Sequence, residues 1–303
     1  APSPPPPPAR VFSDTPFDLA PLRAADADLQ LTVAALQTGG VTYSDVAGHL
    51  VLQGGRLTLD PLAGQSPGGR LQGRLAIDAA AAEAPPVSLA LQAPSLSLAP
   101  FAAALGHAGM LDGAAAVDAD LKGAGNSPHA LAASLGGHLT VIARDADIDN
   151  ALLAATLGGV LHAARLPENA LGAGRTKLRC LDLRLNAAGG KVTVASLLLD
   201  TPKLALQGGG AIDLATEGLN LHLRPMLRVG AGVVVPVRVG GTLTDPKPGL
   251  DAAGAAKMVL GGGAVPADLC GPAGGAQAAP PAAASPPAKP PNPVDILRGL
   301  LAH

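Results

Sequence analysis

Leucine and valine recur at every second position through most of this chain, and that period constrains the fold more than any other feature. "ADLQLTV" places Leu29, Leu31 and Val33 on one side, and "HLVLQGGRLTL" does the same with Leu50, Leu52, Leu57 and Leu59. The pattern returns in "VSLALQA" (Val87, Leu89, Leu91), "LDLRLNA" (Leu181, Leu183, Leu185), "LNLHLRP" (Leu219, Leu221, Leu223) and "VVVPVRVGG" (Val233, Val235, Val237, Val239). Successive side chains of a strand point to opposite faces, so each run has one apolar and one polar face. Glycine pairs punctuate the runs about every ten residues, the spacing of antiparallel hairpins. Helical crossovers are too few for a parallel sheet. The expectation is a mainly β fold: a long, curved antiparallel sheet with a few short helices.

Two stretches break the rhythm. "DIDNALLAATLGGVLHAARL" carries Leu152, Leu153, Leu157, Val160 and Leu161 at helical spacing, with Asp149 or Asn150 as its N-cap. "SLAPFAAALGHAG" predicts a second helix, capped by Ser97 with Phe101 and Leu105 facing inward. Both are expected to plug an end of the sheet or cover part of it.

The interior must be aliphatic, because the 303 residues include no Trp, one Tyr and three Phe. A net charge of −2 with so few aromatics offers neither the basic face nor the stacking platform of a nucleic-acid binder, so no nucleic acid is expected as a partner. No uninterrupted apolar run is long enough to span a bilayer. The start, "APSPPPPPARVF", reads as a linker rather than a signal peptide, so the expectation is a piece of a longer protein with any anchor upstream. The two cysteines, Cys180 and Cys270, are compatible with one disulfide or with two buried thiols.

Composition divides the chain into a proline-rich linker (1–13), a β domain (14–250), an Ala/Gly/Pro-rich flexible segment (251–291) and a short terminal helix (292–303). Within the β domain, residues 50–78 align without a gap to residues 185–213, at an offset of 135. Twelve positions are identical, among them Gly54, Gly55, Pro67, Gly73 and Asp78. The reading is a repeated unit of hairpin, strand, proline corner and strand.

Motifs for chemistry are weak. "GQSPG" matches the nucleophile-elbow pattern around Ser66, but a strand rather than a helix should follow it, so it reads as a turn. The seven histidines lack metal-ligand spacing, and His49, His138 and His222 fall on the polar phase of strands. Carboxylates (Asp78, Asp182, Asp200, Asp213, Asp245) read as strand terminators. No catalytic residue, metal site or cofactor is expected, and the chain is not read as an enzyme.

What remains is the apolar face, with two readings: the interior of a filled sandwich, or a groove left open to acyl chains. Four stretches bear on the choice: "FSDTPFDLAPLRAADADLQL" (12–31), "GGRLTLDPLAGQSPGGRLQGRLAID" (54–78), "GAAAVDADLKGAGNSPHALAASLGGHLTV" (113–141), and 192–251, where "LLLDT", "GGGAIDL" and "PVRVGGTLTDP" follow in order. Together they resemble the C-terminal, β-rich region of the AsmA family of bacterial envelope proteins, over about residues 12–270. In the third stretch the resemblance implies a turn followed by a Ser/Leu/Gly-rich strand.

The resemblance implies a periplasmic segment, tethered to the inner membrane by an upstream anchor and supporting outer-membrane biogenesis and lipid transfer. It tips the apolar face toward a groove for phospholipid acyl chains, lined by Leu29, Leu31, Leu57, Leu59, Leu89, Leu91, Leu183, Leu197, Leu199, Leu204, Leu206, Leu219, Leu221, Val235 and Val237. It also implies a Cys180–Cys270 disulfide, and outer-membrane assembly factors as further candidate partners. The alternative is a filled β-sandwich acting as a structural module in outer-membrane assembly.

Overall fold

The structure, a computed structural model, describes residues 10–38, 41–66, 69–81, 83–104, 106–164, 172–228 and 233–251. Within them one antiparallel sheet takes up fifteen strands. In chain order they are β1 (Ala27–Thr38), β2 (Val41–Gln53), β3 (Arg56–Ser66), β4 (Gly69–Asp78), β5 (Pro86–Ser97), β6 (Leu111–Asp112), β7 (Ala114–Ala124), β8 (Gly136–Asp149), β9 (Arg175–Ala188), β10 (Lys191–Asp200), β11 (Leu204–Asp213), β12 (Gly218–Leu227), β13 (Val233–Val234), β14 (Val237–Gly241) and β15 (Pro246–Leu250). Neighbours in space follow chain order from β1 to β15; only β6, paired to β8, and β13, paired to β12, leave the path. The sheet is open: it does not close into a barrel. Four short helices accompany it: α1 (Ala20–Ala24), α2 (Ala99–Ala104), α3 (Pro128–Ala133) and α4 (Asn150–Ala163).

The repeat seen in the sequence is a structural unit. Adding 135 to the bounds of β4 gives those of β11, and β3 maps in the same way onto β10 with one residue to spare. Both copies bend at corresponding places: register slips between Leu59 and Leu62 in the β3–β4 pair and between Val194 and Leu197 in the β10–β11 pair. Further slips lie mid-strand in β2 and β5. A bulge kinks its strand and sharpens the local twist, so a line of them bends the sheet along its length.

Helix α4 begins as the sequence predicts, with Asp149 accepting a hydrogen bond from the Ala151 amide at 2.8 Å. It touches β8, β14 and β15. Strands β8 and β15 are six places apart in the sheet order, and α4, about 21 Å long and leaving directly from the end of β8, reaches both, so it lies across the C-terminal half of the sheet. Beneath the helix lies the main core: Leu153 and Leu161 of α4 pack with Ala143, Ile148, Leu178, Leu204, Leu206, Leu223 and Val237.

Two predicted details differ. Ser97 does not cap α2; it closes β5 by pairing with Ala114, and the helix starts after Leu98. Leu105, and the side chain of Phe101, lie outside the described residues. The Ser/Leu/Gly-rich strand expected within 113–141 is instead helix α3 followed by β8. Ser127 accepts a hydrogen bond from the Ala130 amide and Pro128 opens the helix, a start that satisfies the first free amides. Glycine makes room for it: a Cβ on Gly125 would lie 2.5 Å from backbone atoms of Ala130 and Leu131.

Candidate functional site

Directly paired residues of neighbouring strands point to the same face, so the registers trace which side chains line up across the sheet. One row runs Leu29–Leu50–Leu59–Leu75–Leu89–Leu121, one leucine from each of β1, β2, β3, β4, β5 and β7. The next runs Leu31–Gly48–Leu62–Gly73–Leu91–Ala119, then continues through Leu139, Leu185, Val194, Gly210 and Leu221 to Val239. A third runs Ala27–Leu52–Leu57–Ile77–Val87–Gly123. No charged side chain stands in these rows. The opposite face carries the charge: His49 with Asp28, His138 with Asp118, and His222 with Asp251, at 2.7, 2.6 and 3.2 Å. Those histidines lie on the polar phase, as their position in the alternation indicates.

The apolar floor is open at one end and filled at the other. Leu29 is 49% exposed, Leu31 47% and Leu89 39%. Leu57, Leu59 and Leu91 are half-buried, as are Leu50, Leu62, Leu75 and Leu121 between them. Leu183 is half-buried too. Under α4, however, Leu204 and Val237 are 0% exposed and Leu206 4%. Leu197, Leu199, Leu219, Leu221 and Val235 pack partly buried against the same cluster. Eight of the fifteen leucine and valine positions expected to line a groove are thus core or its margin. The physical reason is α4, which is apolar on nearly every side and occupies the space a ligand would need there.

One of the two rims is laced by the N-terminal segment. The amides of Val11 and Phe12 both donate to the Glu217 carboxylate at 2.9 Å, and Phe12 packs with Val192, Leu214 and Ile212. The His129 amide donates to Ser13 O at 3.1 Å, the Phe17 amide to Asn126 O at 2.7 Å, and Arg23 Nε to Ala79 O at 2.6 Å. Gly54 N donates to Asp26 Oδ1 at 2.9 Å, where the segment turns into β1. Residues 10–13, placed in the linker by composition, are therefore part of this strap. His129 holds it further, with Nδ1 against Asp14 at 2.7 Å and Nε2 against Ala215 O at 2.8 Å.

Burial alone would raise the Glu217 pKa, but the Phe12 and Val11 amides and the charges of Arg10 and His129 outweigh it and hold the group below its ordinary 4.5. Asp213, in the same turn, is also lowered, chiefly by the Thr216 amide. Groups depressed in the folded state contribute stability above their ordinary values, and that contribution is lost as pH falls through the folded values. The melting temperature is therefore expected to drop below about pH 4.5, and to drop less steeply in Glu217→Gln. Parallel acid limbs in a thermal scan against pH would show that the strap carbonyl and amide contacts do not depend on that charge.

Elsewhere the structure offers little for chemistry. Ser66 ends β3 and pairs with Gly69 of β4, a strand-to-strand turn. Among the described residues no group of His, Cys, Asp or Glu is placed to hold a metal. Of the carboxylates read as strand terminators, Asp78 and Asp213 close β4 and β11, whereas Asp182 lies within β9, facing Leu198 and Ile142. Asp200 is fully buried on the polar face and pairs with Arg228 at 2.6 Å, beside a small cluster of Cys180, Leu198, Ala205 and Met226. Cys180 is disulfide-bonded; Cys270, with the flexible segment and terminal helix expected after residue 251, lies outside the described residues. A hollow of about 560 Å³ lies mainly on the polar face, near Arg74, Asp118, Asp120 and His138, and also touches Leu62, Gly73, Leu91 and Ala119 of the second row. No helix among the described residues is long and apolar enough to cross a membrane.

A model of the AsmA family matches residues 6–197. The match ends inside β10, so the stretch 192–251, where the resemblance is densest, lies mostly beyond it. The "AsmA family protein YhjG" of Escherichia coli (strain K12) is 25% identical over 239 residues, covering 75% of this chain and 33% of that protein. The chain thus spans about a third of the length of that curated relative. No solved structure matches.

Proposed function

Because the chain belongs to the AsmA family, we propose that it is a lipid-binding segment of an envelope protein, whose uncovered floor over β1–β7 shelters phospholipid acyl chains during lipid transfer. On this reading it works without catalysis or cofactor, in the periplasm, as part of a longer protein tethered to the inner membrane and serving outer-membrane biogenesis. The carrying observation is the six-leucine row from Leu29 to Leu121, aligned across six strands, uncharged and, among the described residues, without a covering layer. Each methylene withdrawn from water gains about 0.8 kcal/mol. A tail of about 15 methylenes therefore supplies on the order of 12 kcal/mol before the costs of association are taken off.

Native mass spectrometry of the full chain, purified in mild detergent, is expected to show bound phospholipid. A chain that stays empty after isolation, and after incubation with phosphatidylethanolamine and phosphatidylglycerol vesicles, would end the lipid reading. The filled half, β8 to β15, favours a second role for that part of the chain: a rigid module suited to docking on outer-membrane assembly factors.

A further inference from the structure

We propose that residues 252–270, which composition reads as flexible, dock on the outer, polar face of β9–β12 and are clamped there by a disulfide between Cys180 and Cys270. The sheet then has a cover on each side of its C-terminal half, α4 on one and this segment on the other. No lipid is involved. Three observations carry it.

The first is a small core on the outer face. Cys180, Asp200, Ala205, Met226 and Val234 stand side by side across β9, β10, β11, β12 and β13. Their chain neighbours Leu181, Leu199, Leu204 and Leu206 point the other way, into the core under α4. Yet Cys180, Asp200, Ala205 and Met226 are buried, and so is Leu198 beside them. A face without a second layer leaves its side chains partly in water, as it does for Arg144, Asp182 and Gln207 close by. Arg228 reaches over the cluster to Asp200 at 2.6 Å, but its own Nε and Nη2 are shut off from water and have no hydrogen-bond partner. Among the described residues the cluster takes in no helix and no second sheet, so a further cover is needed.

The second is the bond. Cys180, at the β9 end of this row, is disulfide-bonded, and Cys270 is the other cysteine of the sequence. Pairing them holds the Cα of Cys270 within about 6 Å of the Cα of Cys180. Forming the bond takes two protons and two electrons from the two thiols and passes them to a disulfide-bearing oxidant, which leaves as a dithiol.

The third is reach and composition. Asp251 pairs with His222 on the outer face at 3.2 Å, so the chain departs from β15 on that side. Strands β15 and β9 are five places apart, about 24 Å at about 4.8 Å per place. The nineteen residues 252–270 extend to about 60 Å, enough to cross β14, β12, β11 and β10 with slack for a turn. The stretch "AAGAAKMVLGGGAVPADLC" has two charged residues, Lys257 and Asp268. Its "MVL" (Met258–Leu260) therefore seals Met226, Leu198 and Ala205 without stranding a charge.

The test is hydrogen peroxide footprinting of the full chain, read by peptide mass spectrometry without reduction. A pair of peptides linked through Cys180 and Cys270 is expected, and Met226 and Met258 should both oxidise severalfold more slowly than free methionine. In Cys270→Ser both should speed up severalfold, while Met110, half-buried beside β6, keeps its rate. Met258 oxidising like free methionine in the unmodified chain would overturn the cover. Two free thiols, or a bond between two chains, would overturn the clamp. Those two readings need no variant. Unchanged rates at Met226 and Met258 in Cys270→Ser would likewise show that the bond does not hold the segment in place.

Discussion

Leu206→Asp is expected to unfold the chain, whereas Leu71→Asp, the same change at the matching place in the other repeat, is expected to leave it folded. Leu206 is 4% exposed among Leu204, Leu223 and the α4 leucines, so an aspartate there is a charge with neither water nor partner. The cost is about 4 kcal/mol or more, a large share of the roughly 5–15 kcal/mol that holds an ordinary domain folded. Leu71 is half-buried on an uncovered floor, where a carboxylate keeps its water, and about 1 kcal/mol of packing is at stake. Urea denaturation followed by circular dichroism separates the two. Equal losses would mean that α4 is not what distinguishes the halves.

The second large effect is on the ligand. Leu59→Asp and Leu89→Asp are each expected to lower phospholipid occupancy at least a hundredfold with little change in melting temperature. Both sit in the six-leucine row, separated only by Leu75. A carboxylate there must either be dehydrated against a tail or keep the tail away, and either outcome removes several kcal/mol of binding. Arg74→Asp, on the opposite face of β4, is the control and should leave occupancy unchanged. Native mass spectrometry reads all three. Retention of lipid by the two floor variants would place the tail elsewhere. The same substitution at Leu199 or Leu221 is a poor probe, because those residues pack against the core under α4 and would confound binding with folding.

Much of this was legible in the residues. Strict alternation marks the strands, and the gapless offset of 135 marks β3–β4 and β10–β11 as the same unit. Asp149 announces the start of α4. The cover itself was not legible, because alternation reports which side of a strand is apolar and not what lies upon it. Leu57 and Leu204 look alike in sequence; only the place where α4 lands separates them. Helix α3 is too short for a helical period to show, although "SP" at Ser127 and Pro128 is a start signal that the β pattern around it obscured. The strap has no local signature, since its partners are far away along the chain.

That distance has a bearing on synthesis. Glu217 follows the two amides it holds by 206 and 205 residues. While a ribosome is still making the first strands, Val11 and Phe12 have nothing to bind, whereas Arg23 and Phe17 find Ala79 and Asn126 much earlier. The strap can therefore fasten from its β1 end backwards, and its first residues close last, once the β11–β12 hairpin has emerged. Docking of Val11 and Phe12 should accordingly report that the sheet has been assembled as far as β12.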